Sequence, residues 1–212
     1  MRARGARAPL VTFEGIEGSG KTTQIRRLSE YLTAKGTPHL VTREPGGTPL
    51  ANEIRALLLS PREEAVFPET ELLLYEAARA QHVRAVILPA LDAGTAVLCD
   101  RFCDATLAYQ GFSRGVKVSR VEWLNAFASV GAVPDLTVLL DVAPEEGFKR
   151  IAGRGRILDR LEGESLAFHR QVREGYLSLC QRHPDRIVLV DGTGSTDAVF
   201  EAVRAVTGRL GW

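Results

Sequence analysis

The stretch "GIEGSGKT" at residues 15–22 follows the apolar run "PLVTF" (9–13) and precedes a segment with helical periodicity. It matches the pattern G-x-x-x-x-G-K-[ST] between a strand and a helix. Glycines allow a tight turn that directs several backbone N–H groups inward, and these donors bind phosphate together with the helix N-terminus. The stretch therefore predicts a phosphate-binding loop. Its expected nucleotide-contacting residues are Gly15, Ile16, Glu17, Gly18, Ser19, Gly20, Lys21 and Thr22.

Two side chains of this loop indicate which phosphate compound it binds. Lys21 is placed to reach the β- and γ-phosphates of a nucleoside triphosphate, and the hydroxyl of Thr22 is a ligand for Mg²⁺. A GTPase is disfavoured because neither Asn52 nor Asn125 is followed by the lysine of the guanine-reading pattern N-K-x-D. ATP and Mg²⁺ are therefore the expected cofactors, and both a kinase and an ATPase fit this loop.

Composition limits the class of protein. The chain has 212 residues, 45% hydrophobic and 25% charged, with a net charge of +1, which argues against a general nucleic-acid binder. No apolar run approaches the roughly 18 residues that a membrane-spanning helix needs. Three cysteines without metal-ligand spacing favour a reducing, cytoplasmic compartment. We expect a single domain over 1–212, with a flexible N-terminal arm over about residues 1–8.

Strand and helix patterns alternate along the whole chain. Apolar residues recur at helical spacing between the strand patterns, and one helix is expected to run from Leu72 to about Leu91. The alternation predicts an α/β fold with a five-stranded parallel sheet and helices on both faces. Ligands of such sheets bind at the carboxyl ends of the strands, where several polar motifs fall. The predicted strands are 10–13, 39–42, 95–100, 135–142 and 187–190.

Two motifs at strand ends suggest a second ligand beside the triphosphate. In "CDRF" (99–102), Asp100 is placed to hold Mg²⁺ and Arg101 to grip a phosphate, although a surface salt bridge would leave the same pattern. "TREPGGT" (42–48) combines a charged pair with proline and two glycines, which favours a sharp bend that brings the backbone close to a ligand.

A third motif suggests a mobile cover. "GRGRILDRLE" (153–162) places Arg154, Arg156 and Arg160 among glycines between two predicted helices. This composition suits a lid over about residues 153–162 that closes and delivers guanidinium groups to transferring phosphates. The alternative is a solvated, charged loop.

Together these pieces resemble the bacterial thymidylate kinases, which are P-loop nucleoside monophosphate kinases. The matching motifs come in the family's order, and the resemblance extends from about residue 10 to 192. They are "FEGIEGSGKTTQ", "TREPGGTPLANEIR", "LLLYEAARAQH", "CDRF", "LAYQG", "PDLTVLLDV" and "LDRLE". The resemblance implies a three-layer P-loop NTPase fold, a homodimer, and transfer of the ATP γ-phosphate to dTMP in dTTP biosynthesis. It also implies that Arg150 and the Asp191–Thr193 turn border the adenine.

The resemblance further implies the acceptor-site residues. Glu17 would face the sugar 3′-hydroxyl, Tyr109 would crowd the 2′ position, and Arg55 and Arg101 would hold the dTMP phosphate. In catalysis it implies roles for Lys21, Asp100, Arg101, Arg154 and Arg160. The implied substrate-binding residues are Glu17, Glu44, Pro45, Arg55, Tyr75, Arg79, Arg101, Thr106, Tyr109 and Gln110.

Base recognition would involve one helix face. Tyr75 and Arg79 are four residues apart and therefore share a face, which suits a ring stacked on thymine and a guanidinium donating to its carbonyl. Thr106 and Gln110 would complete the base contacts. Because Gly18 stands where some family members carry an arginine, the catalytic arginine is expected from the lid, where Arg156 could substitute.

Two alternatives remain open. The chain could be a kinase for another nucleotide or small acceptor, or a nucleotide-regulated binding module that switches a partner. A binding module would need neither an acceptor site nor a lid, and the sequence carries features of both.

Overall fold

A five-stranded parallel sheet forms the centre of the computed structural model, which describes residues 7–152 and 159–212. The strand order is β2-β3-β1-β4-β5, and every neighbouring pair is parallel. The strands are β1 Leu10–Glu14, β2 His39–Arg43, β3 Ala96–Asp100, β4 Leu136–Asp141 and β5 Ile187–Asp191. All five predicted strands are confirmed, each with ends within one residue of the prediction.

Helices connect the strands and cover the sheet. They are α1 Lys21–Ala34, α2 Pro49–Leu59, α3 Pro68–His82, α4 Leu88–Asp92, α5 Cys103–Thr106, α6 Val118–Ser129, α7 Pro144–Ala152, α8 Leu166–Arg182 and α9 Thr196–Gly208. On one face of the sheet Ile25 and Leu28 of α1 pack with Val199 and Val203 of α9. On the other face residues of α8 and of the segment after α5 pack against the sheet. The predicted three-layer α/β architecture is confirmed.

The long helix expected from Leu72 to about Leu91 is interrupted. Val83–Ile87 is π-helical and joins α3 to α4, and the N–H of Leu88 bonds to the carbonyl of Val83, five residues back. Pro89 has no N–H with which to continue an α-helical ladder, which favours a change of hydrogen-bond pattern just before it. Helical periodicity does not distinguish α-helical from π-helical hydrogen bonding, so the prediction of one continuous helix was wrong.

A second π-helical segment, Leu107–Ser113, extends α5 and was not predicted. The N–H of Arg114 bonds to the carbonyl of Tyr109, again five residues back. The wider turn places Tyr109 and Gln110 in the wall of one internal cavity, described below. Such segments are frequent at functional sites.

The predicted N-terminal arm extends one or two residues too far. Its first six residues lie outside the described part of the chain. Ala8 is buried, packs with Leu10 and Leu91, and donates its N–H to the carbonyl of Leu91 at 3.3 Å. Apolar contact and backbone bonding therefore hold the chain at residue 8. Within residues 7–152 and 159–212, no helix is long and apolar enough to cross a membrane.

Candidate active site

The loop between β1 and α1 has the backbone geometry that its glycines predicted. Gly18 and Gly20 have φ angles of 76° and 97°, a region that side-chain-bearing residues rarely adopt. A Cβ on Gly18 would also clash with the carbonyl oxygen of Gly147 in α7. The turn of this loop therefore requires glycine at residue 18.

Lys21 lies within this loop, with only 7% of its surface exposed. Its Nζ donates 2.9 Å hydrogen bonds to the carbonyls of Gly15 and Ile16. Burial, together with repulsion by Arg101, lowers the pKa of Lys21 to about 8 despite nearby carboxylates. An anion beside the ammonium group would favour its charged form.

Arg150 joins the loop to the turn after β5. Its Nη1 donates to the carbonyl of Gly18 at 3.4 Å and to that of Gly192 at 3.0 Å. In the same turn the N–H and hydroxyl of Thr193 donate to Asp191 at 2.8 and 2.7 Å. The two features predicted to border the adenine thus lie together beside the phosphate-binding loop.

The predicted metal ligands are neighbours. The Thr22 hydroxyl donates to the Asp100 carboxylate across 3.3 Å at the carboxyl end of β3. In the described part of the chain there is no cluster of three or more His, Cys, Asp or Glu that could hold a metal alone. Mg²⁺ commonly binds through one or two protein oxygens plus the substrate phosphates, so this donor pair fits it.

Nine of the ten predicted acceptor-site residues line one cavity. Phe102, Ala105 and Leu161 also line it and were not predicted. An adjoining cleft contains the tenth residue, Arg55, together with Lys21. The nine lining residues are Glu17, Glu44, Pro45, Tyr75, Arg79, Arg101, Thr106, Tyr109 and Gln110.

The cavity and the cleft form a continuous path from α3 to the phosphate-binding loop. Both are lined by Glu17, Tyr75 and Arg101. The lining of the cleft carries four cations, Lys21, Arg43, Arg55 and Arg101, among five carboxylates. Burial and repulsion by Arg43 lower the pKa of Arg55. A planar group in the cavity and a phosphate in the cleft would therefore belong to one ligand that faces Lys21.

Arg79 is fixed at the base of the cavity. Its Nε donates to Glu44 at 2.7 Å, Nη1 to Glu76 at 2.8 Å and Asn125 at 2.5 Å, and Nη2 to Thr106 at 2.8 Å. Burial disfavours the charge, but the carboxylates, Glu44 foremost, raise the pKa of Arg79. Four of the five N–H donors are thereby used, and the fifth, on Nη2, is left for a ligand.

Arg101 has an unusual backbone that directs its side chain into the cleft. Its φ is 68°, a conformation that costs energy outside glycine, and its N–H bonds to the carbonyl of Phe13 at 3.0 Å. Nη1 donates to the hydroxyl of Tyr176 at 3.0 Å, while Nη2 donates to Glu17 at 2.7 Å and to the hydroxyl of Tyr109 at 3.0 Å.

Glu17 and Tyr109 form a pair on the same wall. The Tyr109 hydroxyl contacts both carboxylate oxygens of Glu17, at 2.7 and 2.8 Å, and Nδ1 of His169 lies 3.2 Å from Oε2. Burial disfavours ionisation of Glu17, but Arg101, His169 and Lys21 together lower its pKa. The residues predicted to meet the 3′ and 2′ positions of a sugar are therefore adjacent.

A comparison with known proteins agrees with this geometry. The family model described as thymidylate kinase matches residues 13–203. The chain belongs to the thymidylate kinase family. It is 50% identical over 202 residues to the thymidylate kinase of Syntrophotalea carbinolica, with 93% of this chain and 94% of that protein covered. It is 51% identical over 210 residues to that of Geobacter sp. (strain M21), covering 95% and 93%.

A solved structure is similar over nearly the whole chain. The crystal structure of thymidylate kinase from Ehrlichia chaffeensis matches with a TM-score of 0.76 and 32% identity. The match covers 94% of this chain and 98% of that one. The fold of this chain is therefore that of a thymidylate kinase over 94% of its length.

Two residues that support this thymidylate kinase site were missed. Glu14 is completely buried at the end of β1 and accepts hydrogen bonds of 2.7 Å from the N–H of Phe102 and the hydroxyl of Tyr176. Burial, with the nearby charge of Asp104, raises the pKa of Glu14 to about 8. A carboxylate that ends an apolar strand was a signal in the sequence, whereas Tyr176 stands at helical spacing among apolar residues and gave no such signal.

The described residues include only the end of the predicted lid, from Asp159 onward. Arg154 and Arg156 lie outside the described residues. Arg160 is not among the residues lining the cleft, and it donates from Nε to the carbonyl of Leu58 at 2.7 Å and from Nη2 to Glu71 at 2.5 Å. In this structure the buried carboxylate of Glu71 binds the guanidinium of Arg160, and the predicted role of Arg160 towards a transferring phosphate stays a prediction.

Proposed function

We propose that this chain transfers the γ-phosphate of ATP to dTMP, giving dTDP and ADP, and so acts in dTTP biosynthesis. One observation carries the proposal: the cavity lined by Tyr75 and Arg79 adjoins a cleft that contains Lys21, Arg55 and Arg101. Its lining suits a planar base, and the adjoining cleft suits the attached sugar and phosphate. Membership of the thymidylate kinase family supports the same acceptor.

The residues that we propose for substrate contact follow this path. Tyr75 stacks on the thymine, Arg79 donates to it, and Thr106 and Gln110 complete the base contacts. Glu17 accepts from the 3′-hydroxyl, with Tyr109 excluding a 2′-hydroxyl. Arg55 and Arg101 bind the phosphate, and Glu44 and Pro45 form the wall beside it.

The chemistry needs positioning and charge rather than a covalent intermediate. The attacking oxygen belongs to the ionised phosphate of dTMP, so no protein base has to remove a proton. Lys21 and Arg101 stabilise the charge that spreads over the transferring group, as cations do in phosphoryl transfer. Arg154, or Arg156 in its place, is the candidate for a further charge from the lid.

The P-loop, residues 15–22, binds the ATP phosphates, and Arg150 borders the adenine. Thr22 and Asp100 would hold Mg²⁺, which neutralises phosphate charge when bound. A cytoplasmic location is also proposed, because the three cysteines are unpaired, as is usual in reducing compartments.

We further propose that the chain acts as one domain and assembles as a homodimer through α3 and α6. Trp123 and Phe127 on α6 stack with ring centroids 5.8 Å apart and are 66% and 71% exposed. On α3 Leu73 is also exposed, and an aromatic and aliphatic surface of this kind favours association. Light scattering of wild type and Trp123→Glu tests this: a monomeric wild type would exclude the dimer.

An acceptor panel tests the function. ADP release is measured with ATP and Mg²⁺ on dTMP, dUMP, AMP, CMP and GMP, and the phosphorylated product is identified. We expect the highest kcat/KM with dTMP. A higher value for another acceptor would replace dTMP as the substrate, while ATP hydrolysis without dTDP formation would favour a nucleotide-regulated binding module.

A further inference from the structure

Glu71 is an unassigned carboxylate on α3, and its side chain is fully buried. Its Oε1 accepts from Nε2 of Gln110 at 2.9 Å and from Nε of Arg114 at 3.2 Å. Its Oε2 accepts from the Nη2 atoms of Arg160 at 2.5 Å and Arg114 at 3.3 Å. Burial opposes its charge, but Gln110 and the two arginines lower the pKa of Glu71 below its usual value, so it is ionised at neutral pH.

This contact fixes the orientation of the Gln110 side chain. An ionised carboxylate only accepts hydrogen bonds, so the amide nitrogen of Gln110 must face Glu71. The amide oxygen is then directed elsewhere, and nothing in residues 7–152 or 159–212 donates to it. Because Gln110 lines the base cavity, the atom that it offers there is a hydrogen-bond acceptor.

A donor lies on the same cavity wall. Arg79 has one N–H left on Nη2 after its bonds to Glu44, Glu76, Asn125 and Thr106. The cavity therefore presents both a donor and an acceptor. Thymine and uracil place a carbonyl beside an imide N–H, which complements this pair. Cytosine places an amino group beside an unprotonated ring nitrogen, which opposes it at both points.

Building on the proposed dTMP kinase function, we propose that Glu71 is a specificity-determining residue of this chain. By orienting the Gln110 amide it favours a pyrimidine with an imide N–H and rejects dCMP. Glu71 touches no substrate in this account, and it acts only through Gln110. A hydrogen-bonding site of this kind discriminates strongly, because the wrong base leaves buried polar groups unpaired.

The variant Glu71→Gln tests the mechanism at nearly constant shape. The new amide has a single oxygen, for which Gln110 competes with two guanidinium groups. Hydrogen bonds from charged donors are the stronger ones, so Arg114 and Arg160 retain the oxygen and the new NH₂ faces Gln110. Gln110 must then turn its own oxygen towards residue 71 and its NH₂ into the cavity, where that NH₂ suits cytosine's ring nitrogen.

The experiment measures kcat/KM for dTMP and dCMP with ATP in wild type and three variants. In Glu71→Gln we expect the dTMP-to-dCMP ratio to fall by roughly 10–100-fold. Arg114→Gln is the matched control, because it removes another partner of Glu71 and leaves the Gln110 contact, and it should keep the wild-type ratio. Gln110→Leu should also lower the ratio, and it serves in place of Glu71→Gln if that variant does not fold.

Two outcomes would overturn the inference. One is a folded Glu71→Gln protein that loses activity on both nucleotides equally and keeps the wild-type ratio. The other is a wild-type ratio in Gln110→Leu. In either case an active wild type on dTMP leaves the proposed function standing, whereas a wild type that phosphorylates neither nucleotide removes the proposed function itself.

Discussion

The hydroxyl of Tyr176 donates a 2.7 Å hydrogen bond to the carboxyl group of Glu14, and both side chains are buried behind the active site. The same hydroxyl accepts from Nη1 of Arg101 at 3.0 Å. Helix α8 and strand β1 are thus joined through a group that also holds a proposed phosphate-binding arginine. Because burial disfavours the ionised form of Glu14, the free energy of unfolding should depend on pH.

The free energy of unfolding should fall as pH rises through the window set by Glu14. Its pKa is raised from 4.5 to about 8 by burial, so between these values the unfolded state ionises while the folded state keeps its proton. The stabilisation that the protonated Glu14 contributes at pH 4.5 is lost by about pH 8, a change on the order of 4 kcal/mol. Urea unfolding of wild type and Glu14→Gln at about pH 5 and pH 8 measures it. Equal pH dependence in the two proteins would contradict the assignment.

Lys21→Ala should reduce turnover by about 10²–10³-fold, because it removes a charge preorganised for the transferring phosphate. The fold should survive, since the side chain bonds only within its own loop. Steady-state kinetics and thermal unfolding check both statements. The exposed Lys35→Ala is the matched control and should behave as wild type. Near-normal turnover in Lys21→Ala would show that the loop does not hold the reacting phosphate.

Arg79→Met should raise KM for dTMP by roughly 10–100-fold and leave KM for ATP nearly unchanged. It should also destabilise the fold by about 3–5 kcal/mol, because Glu44 and Glu76 are left buried without their partner. Kinetics with each substrate varied, together with thermal unfolding, separate the two effects. Arg84→Met is the control: it changes an exposed arginine just after the same helix, and it should alter neither the KM for dTMP nor the stability. Equal changes in both KM values would argue against a base-binding role.

Asp100→Asn should increase the Mg²⁺ concentration for half-maximal activity by about tenfold, because an amide is a weaker magnesium ligand than a carboxylate. Activity of every variant should vanish with excess chelator and return with added Mg²⁺. A magnesium titration of the rate measures this, with the exposed Asp92→Asn as control. An unchanged midpoint in Asp100→Asn would remove Asp100 from the proposed metal site.

Sequence patterns predicted the sheet because its strands are short apolar runs bounded by turn residues. β4, for example, is almost uniformly buried and reads as a continuous apolar segment. The loop at residues 15–22 could also be predicted, since its glycines, lysine and threonine together form a phosphate-binding pattern. The π-helical segments could not be predicted, because their residues keep helical spacing while their hydrogen bonds shift by one position.

The long-range contacts of the site could not be predicted. Glu71 lies in a run, "PETELLLY" (68–75), where an acidic residue in the first turn of a helix reads as a solvent-exposed charge. It is buried and fully hydrogen-bonded because Gln110, Arg114 and Arg160 approach it from segments far away in sequence. Arg160 was predicted to bind a phosphate because the sequence shows this cation but does not show that Glu71 is its partner.

A crystal structure with dTMP and a non-hydrolysable ATP analogue tests the central claim most directly. We predict that the thymine lies in the cavity against Tyr75, that its phosphate contacts Arg55 and Arg101, and that the γ-phosphate mimic lies at Lys21. A thymine bound outside that cavity, or a dTMP phosphate too far from Lys21 for in-line transfer, would contradict it.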